Sequence, residues 1–169
     1  MKKRDKKGFS TVITTILLIA LVIVLIGIIW GVVNGLIKKS TESSGACFGI
    51  FEKVSLNSEY TCYTDDELRF SISISDIDVE EVLVGISAEG ESLTFRIKND
   101  SSEIDNLVMY PGGSTSIGLP SKNAGLTYVL DLSGAGLSGT PEVIDIAPVI
   151  KGSQCEISDS LNKIEKCSN

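Results

Sequence analysis

One long uncharged segment limits what this chain can fold into. From Gly8 to Ile37 there are 30 residues without a charged side chain, and 21 of the 29 residues after Gly8 are apolar. About 20 consecutive apolar residues are enough to cross the ~30 Å hydrocarbon core of a bilayer. A helix over residues 9–39 would be about 46 Å long, which is more than a bilayer requires. The sequence therefore predicts one transmembrane helix over residues 9–39.

Charge is distributed unequally around this segment. Five basic side chains precede it, whereas only Lys38 and Lys39 follow it closely. Because Lys and Arg are enriched on the cytoplasmic side of membrane helices, we predict a cytoplasmic N-terminus and an outer location for the chain after Ser40. Residues 40–169 carry 21 acidic and 8 basic side chains, a net charge of −13. This acidic composition argues against a nucleic-acid partner, which requires clustered Lys and Arg.

Beyond Lys39 the hydrophobic pattern is that of strands. Residues 40–46 are small and polar and predict a linker. Apolar residues then alternate with polar ones at the period of two that places them on one face of a sheet, and turn residues separate the runs. We therefore predict an all-β domain over residues 47–169, an immunoglobulin-like antiparallel β-sandwich that follows the long N-terminal helix. The predicted strands cover residues 48–56, 68–74, 82–86, 93–97, 107–110, 126–132 and 143–150.

The four cysteines all lie in the predicted outer part, at Cys47, Cys62, Cys155 and Cys167. An even number of cysteines outside the cell predicts two disulfides. A zinc site is the rival interpretation, but no C-x2–4-C pair is present to support it. Three pairings are open. Short loops favour Cys47–Cys62 with Cys155–Cys167, while a pairing that joins the two ends of the domain is also reasonable.

No pattern in the sequence predicts catalysis, a metal or a cofactor. The chain has no His, which excludes Ser–His–Asp and Cys–His catalysis and His-ligated metals. Asp76, Asp78 and Glu80 are spaced like calcium-loop ligands, but Glu81 stands where such a loop needs Gly, so we interpret them as a solvated acidic loop. Asn99 begins an Asn-Asp-Ser sequon and is a candidate for N-glycosylation. We expect a protein that is not an enzyme.

Three glycines of the apolar segment, Gly27, Gly31 and Gly35, recur every four residues and share one helix face. In lipid, small residues at this spacing let helices approach closely, which predicts a packing face between identical helices. The alternative is that glycine is simply frequent in membrane helices.

Several processing schemes suit an N-terminal segment of this kind. The apolar run is too long for an ordinary secretory signal, whose core has about 7–15 residues. Cys47 after Ala46 is a poor match to a lipoprotein site, because Ser44 stands where an aliphatic residue is expected. An uncleaved signal anchor is the simplest alternative.

A fourth scheme follows from residues 6–19, KKGFSTVITTILLI. A short basic leader that ends in Gly directly before the hydrophobic segment resembles the N-terminus of archaeal type IV pilins and archaellin-like proteins. The resemblance implies cleavage between Gly8 and Phe9 by a prepilin peptidase at the cytoplasmic face, with residues 1–8 as a class III leader. The fifth residue after this junction is Ile13, where many bacterial pilins and archaellins have an acid, so the resemblance is to the adhesion-pilin branch.

The resemblance implies a structural function. The membrane-held precursor would be recruited by a pilus assembly machinery and would polymerise with identical copies through its helix, leaving the β domain exposed on a surface filament for adhesion. The alternative is a monomeric, membrane-tethered β-sandwich that acts as a binding module or minor pilin.

Overall fold

The computed structural model describes residues 7–100 and 102–168. The chain divides into two compact units between Glu42 and Ser43. The described part of the first unit is helical, and the regular structure of the second unit after Ala46 consists of strands and one 3-10 turn, as expected for a helix followed by an all-β domain.

A single helix, α1, covers Lys7–Ala46 and has 40 residues, which corresponds to a length of about 60 Å. Its segment Val12–Ile37, of 26 residues, is long and apolar enough to cross a membrane. The helix is longer at both ends than the predicted 9–39. Residues 40–46, predicted as a linker, are helical; they contain no proline, and their one glycine is at position 45, next to the end of the helix.

The second unit contains eleven described strands, joined by short turns and by one 3-10 turn at Ser58–Tyr60. The strands are β1 (Val54–Leu56), β2 (Cys62–Tyr63), β3 (Glu67–Ile74), β4 (Glu81–Ala88), β5 (Glu91–Lys98), β6 (Leu107–Tyr110), β7 (Ala124–Asp131), β8 (Pro141–Ile150), β9 (Ser153–Gln154), β10 (Asp159–Leu161) and β11 (Glu165–Lys166).

These strands form two sheets. The first has the order β11-β2-β3-β7-β6, and β1 pairs with β3 as well, so that β1 and β2 both lie along β3 and are separated by the 3-10 turn. The second has the order β10-β8-β4-β5, with β9 paired to β8. All described pairings are antiparallel except β11 with β2.

The strand order is that of an immunoglobulin-like domain. In that fold one sheet contains strands A, B, E and D, and the other contains G, F and C. Here β1, β3, β7 and β6 occupy the positions of the first set, while β10, β8 and β4 occupy those of the second. The hairpin partner β5 adds an edge strand beside β4. The predicted β-sandwich is therefore confirmed.

The inward-facing positions of the alternating strands form one hydrophobic core. Leu68, Phe70 and Ile72 of β3 are fully buried, and Val82 and Val84 of β4 are buried with them. These residues occur at every second position, as expected for strands with one face toward a core. Buried residues of both sheets belong to this single cluster, which is why the two sheets form one domain.

The tight turn between β4 and β5 has the backbone of a two-residue hairpin. Glu89 and Gly90 both have positive φ and connect β4 to β5 after the pair Ala88 and Glu91. Positive φ at both central residues is the geometry that matches the twist of a two-residue hairpin.

The first predicted strand, 48–56, is shorter in the structure, because only Val54–Leu56 pairs with β3.

Tyr128 connects core packing to a polar contact. Its side chain is fully buried, its ring stacks on Phe70 with centroids 5.3 Å apart, and its hydroxyl donates a 2.7 Å hydrogen bond to the carbonyl of Gly118. Burial raises the pKa of the Tyr128 phenol above its ordinary value, because a phenolate is poorly solvated in the core.

This raised pKa predicts a loss of stability at alkaline pH. Above about pH 10 the unfolded chain releases the phenol proton while the folded chain retains it, so the free energy of unfolding should fall by up to about 1.4 kcal/mol per pH unit. Tyr128→Phe should remove this part of the slope, at a cost near neutral pH of about 1 kcal/mol for the lost hydrogen bond. Urea unfolding of the full chain in detergent, followed by near-UV circular dichroism, measures both effects. Identical alkaline slopes in the two proteins would contradict the prediction.

Candidate functional site

The apolar surface of α1 is the most prominent candidate for a functional surface. Large hydrophobic side chains between Val12 and Ile37 are 41–69% exposed. They occur on all sides of the helix, and Trp30 is the most exposed of them at 69%. A helix that is hydrophobic all round is normally buried in lipid or in protein. By length and composition, this segment is therefore a candidate for membrane anchoring.

The predicted glycine face lies on this surface. Gly27, Gly31 and Gly35 are helical, and a Cβ atom added at any of them would meet nothing within 4 Å. Among the described residues, nothing lies close enough to these three positions to require glycine there. Open space at small residues is the condition that a packing face between helices requires.

The predicted cleavage junction lies at the beginning of the same helix. The backbone of Gly8 and Phe9 is helical. Residues 1–6 of the predicted leader lie outside the described residues.

Two disulfides join all four cysteines. Cys47 is bonded to Cys155, 108 residues later, and Cys62 is bonded to Cys167, 105 residues later. The prediction of two disulfides is confirmed, whereas the short-loop pairing is wrong and the pairing that joins the two ends of the domain is the one observed. The reason is the sheet topology: β11 lies beside β2, which places Cys167 next to Cys62. Disulfides of this kind are typical of an oxidising compartment.

The segment after α1 exposes an apolar patch that sequence analysis missed. Phe48 is 90% exposed and Phe51 is 73% exposed, and Ile157 contributes beside them. These residues line a cavity of about 400 Å³ together with the Cys47–Cys155 disulfide. The sequence did not indicate this patch, because residues 48–53 belong to the predicted strand 48–56, in which apolar side chains are expected to face the core.

The acidic stretch precedes β4 and the sequon follows β5, so both lie at the ends of these strands away from the Glu89-Gly90 turn. Asp78 accepts a 2.8 Å hydrogen bond from Lys122, and Glu80 accepts a 2.9 Å hydrogen bond from the backbone N–H of Gly152. These two carboxylates therefore connect the acidic stretch to neighbouring loops. Asn99 is exposed in the turn after β5, where its side chain is open to modification.

A second cleft is formed by residues that no sequence motif connects. It lies beside the Cys62–Cys167 disulfide and has a volume of about 340 Å³. Arg69 lies under the ring of Tyr110, with the guanidinium carbon 5.1 Å from the ring centroid. Lys166 pairs with Asp65 at 3.0 Å, and this hydrogen bond with Asp65 raises the pKa of the Lys166 ammonium. The cleft is lined by Ser58, Glu59, Tyr60, Thr61, Cys62, Arg69, Tyr110, Thr127, Glu165, Lys166, Cys167 and Ser168.

The described part of the chain contains no candidate metal-binding site. Across residues 7–100 and 102–168, no three Cys, Asp or Glu side chains are placed to hold a metal ion together. All four cysteines are in disulfides. The described features that bear on function include the exposed helix, the disulfide-bonded sandwich and the two cavities beside the disulfides.

Comparison with known proteins does not assign the chain to a family. No protein-family model matches the chain, and no curated protein is significantly similar to it.

Proposed function

We propose that this chain is the structural subunit of a surface filament of the archaeal type IV pilus kind. In this proposal α1 packs against the helices of identical copies in the filament core, and the β-sandwich faces the medium, where it serves adhesion. The chain is first held in the membrane by the same helix, with its N-terminus in the cytoplasm. A prepilin peptidase then cuts between Gly8 and Phe9, and a pilus assembly machinery moves the helix into the filament.

One observation carries this proposal more than any other: the continuous 40-residue helix whose apolar surface is exposed all round. The apolar span of 26 residues corresponds to about 39 Å, against about 30 Å for the hydrocarbon core of a bilayer. A simple tether needs no more than the bilayer thickness. A helix that also packs against neighbours in a filament core gains from the additional length, because each added turn can be buried between copies.

Three further features are consistent with a filament subunit. The basic residues before Gly8 would keep the precursor oriented in the membrane until the leader is removed. The glycine face offers close approach between helices. The two disulfides each close a loop of more than 100 residues, and such bonds stabilise a domain that remains outside the cell.

Cleavage of the leader is testable by the intact mass of the protein from its native membranes. We expect a chain that begins at Phe9 and lacks residues 1–8. The same protein from cells without the peptidase should keep its leader and serves as the control. A chain that still begins at Met1 in cells that contain the peptidase would contradict the proposal.

The glycine face makes a separate prediction about assembly. Gly31→Leu should strongly reduce the amount of filament, because the larger side chain keeps neighbouring helices apart. Val33→Leu is the matched control: it places leucine about 200° around the helix from Gly31 and should leave assembly unchanged. Electron microscopy of surface fractions, with immunoblots for total protein, measures the ratio of filament to membrane-bound chain. Equal assembly of both variants would exclude this face from helix packing.

A further inference from the structure

The cleft beside the Cys62–Cys167 disulfide lies wholly within the β domain. Its floor is formed by Arg69 on β3 and Thr127 on β7, which lie on neighbouring strands of the first sheet. One wall comes from the 3-10 turn that ends at Tyr60, and the opposite wall comes from Tyr110 at the end of β6. A volume of about 340 Å³ falls within the range of small-molecule sites.

Arg69 has hydrogen-bonding capacity that the described residues leave unused. Its Nε is buried without a hydrogen-bond partner. Its Nη2 lies 3.8 Å from Glu67 Oε2, which is beyond hydrogen-bond distance. A guanidinium carries five N–H donors, and buried donors in native proteins nearly always have an acceptor. The Nε is enclosed, but the Arg69 side chain as a whole is 35% exposed and lines the cleft, so a ligand there can be reached by its terminal Nη groups.

Two aromatic side chains flank this donor. Tyr60 is 62% exposed and Tyr110 is 48% exposed. The Tyr110 ring lies over the Arg69 guanidinium, a cation–π contact that favours this position of the ring. Exposed rings beside a polar group suit a ligand with both C–H and hydroxyl surfaces.

The charges of the cleft select against an ionic ligand. Arg69 and Lys166 are balanced by Glu59 and Glu165 among the lining residues. Asp65, which pairs with Lys166, and Glu67, which lies beside Arg69, add further negative charge nearby. An anion would meet these carboxylates, and a cation would meet the guanidinium. A neutral ligand that both donates and accepts hydrogen bonds fits both kinds of group.

We propose that this cleft binds a neutral pyranose unit of a glycan. The apolar C–H face of the sugar packs on Tyr60 and Tyr110. Its hydroxyl groups accept hydrogen bonds from Arg69 and donate to Glu59 or Glu165. This inference does not depend on filament assembly, because every lining residue belongs to the β domain.

The C-terminal wall of the cleft depends on a disulfide. Strand β11 has only two residues, which pair with Cys62 and Tyr63 of β2. The backbone N–H of Cys167 donates a 2.9 Å hydrogen bond to the Tyr63 carbonyl. The few backbone hydrogen bonds of so short a strand are not enough to keep it paired. Loss of the Cys62–Cys167 bond should therefore free β11 from β2 and weaken binding of the sugar.

Saturation-transfer difference NMR on the full chain tests the proposal. The protein is kept in dodecylphosphocholine micelles, since a detergent with a sugar headgroup would compete for the cleft. The probes are methyl glycosides of glucose, galactose and mannose, with methyl glucuronide as the acidic comparison. We expect at least one neutral glycoside to bind in the millimolar range, and methyl glucuronide to bind more weakly.

Variants locate the binding. Tyr60→Ala and Arg69→Gln should each weaken binding by about tenfold, the loss that removal of an anchoring side chain commonly causes. Phe51→Ala, at an exposed aromatic residue that lines the other cavity, is the matched control and should bind like the original chain. Since Tyr60 is exposed, its variant should keep the near-UV spectrum of the folded domain. Absence of binding by all neutral glycosides, preference for methyl glucuronide, or binding that Tyr60→Ala leaves unchanged would each overturn the proposal.

Discussion

Phe70→Ala should destabilise the β domain by about 3–5 kcal/mol, the cost typical of removing a fully buried aromatic side chain. Phe70 has no exposed surface and lies on β3, in the middle of the first sheet. Its ring stacks on Tyr128 at a centroid distance of 5.3 Å and contacts Phe95 at 6.3 Å, so truncation leaves a cavity that involves both sheets. Most domains are stable by only about 5–15 kcal/mol, and this loss is a large part of that.

The measurement is chemical unfolding of the full chain in detergent, followed by the near-UV signal of the tyrosines. The single Trp lies in α1, so tyrosine signals report on the β domain. Phe51→Ala removes the same side chain from a position that is 73% exposed and should change stability by no more than about 0.5 kcal/mol. Equal effects of the two substitutions would contradict the assignment of Phe70 to the core.

Replacement of both cysteines of the first disulfide, Cys47→Ala with Cys155→Ala, should cost about 2–5 kcal/mol. The bond joins residues 108 positions apart, so its loss gives the unfolded chain much more freedom. The effect also has a local part. Ile50, Ile150 and Cys155 form a small apolar cluster of their own, and this cluster fixes the segment that follows α1.

Thermal unfolding and hydrogen exchange separate the two parts of this effect. The melting temperature should fall by roughly 6–25 °C, given about 3–5 °C per kcal/mol for a domain of this size. Exchange should rise first at the backbone N–H groups of Lys53 and Cys155, which donate to Ile50 and Pro148. The second pair, Cys62→Ala with Cys167→Ala, is the comparison: its global cost should be similar, but it should release β11 instead. A loss of less than about 1 kcal/mol from the first pair would contradict this account.

The sequence predicted the two-part architecture because its signals are local. An uncharged apolar run and a period-2 alternation each depend on neighbouring residues, as in Leu68, Phe70 and Ile72 of β3. The Glu89-Gly90 turn is likewise fixed by two adjacent residues. Each of these features can be read without knowing which strands are neighbours.

Features that depend on long-range neighbours could not be predicted in the same way. The two-residue strands β2 and β11 are too short to have a pattern, yet their pairing determines the partner of Cys62. The cleft near Arg69 is assembled from segments as far apart in the chain as Ser58 and Ser168, 110 residues from each other. Its aromatic and charged side chains look like ordinary surface residues until the fold brings them together.

The proposed function depends on one claim, that α1 is buried between copies of this chain in a filament. Electron microscopy of surface fractions sheared from native cells tests it most directly, with mass spectrometry to identify the subunit and its N-terminus. We predict filaments that contain this chain beginning at Phe9. A mature chain that remains wholly in the membrane as a monomer, with none in any filament, would contradict the proposal and would favour a membrane-tethered binding module.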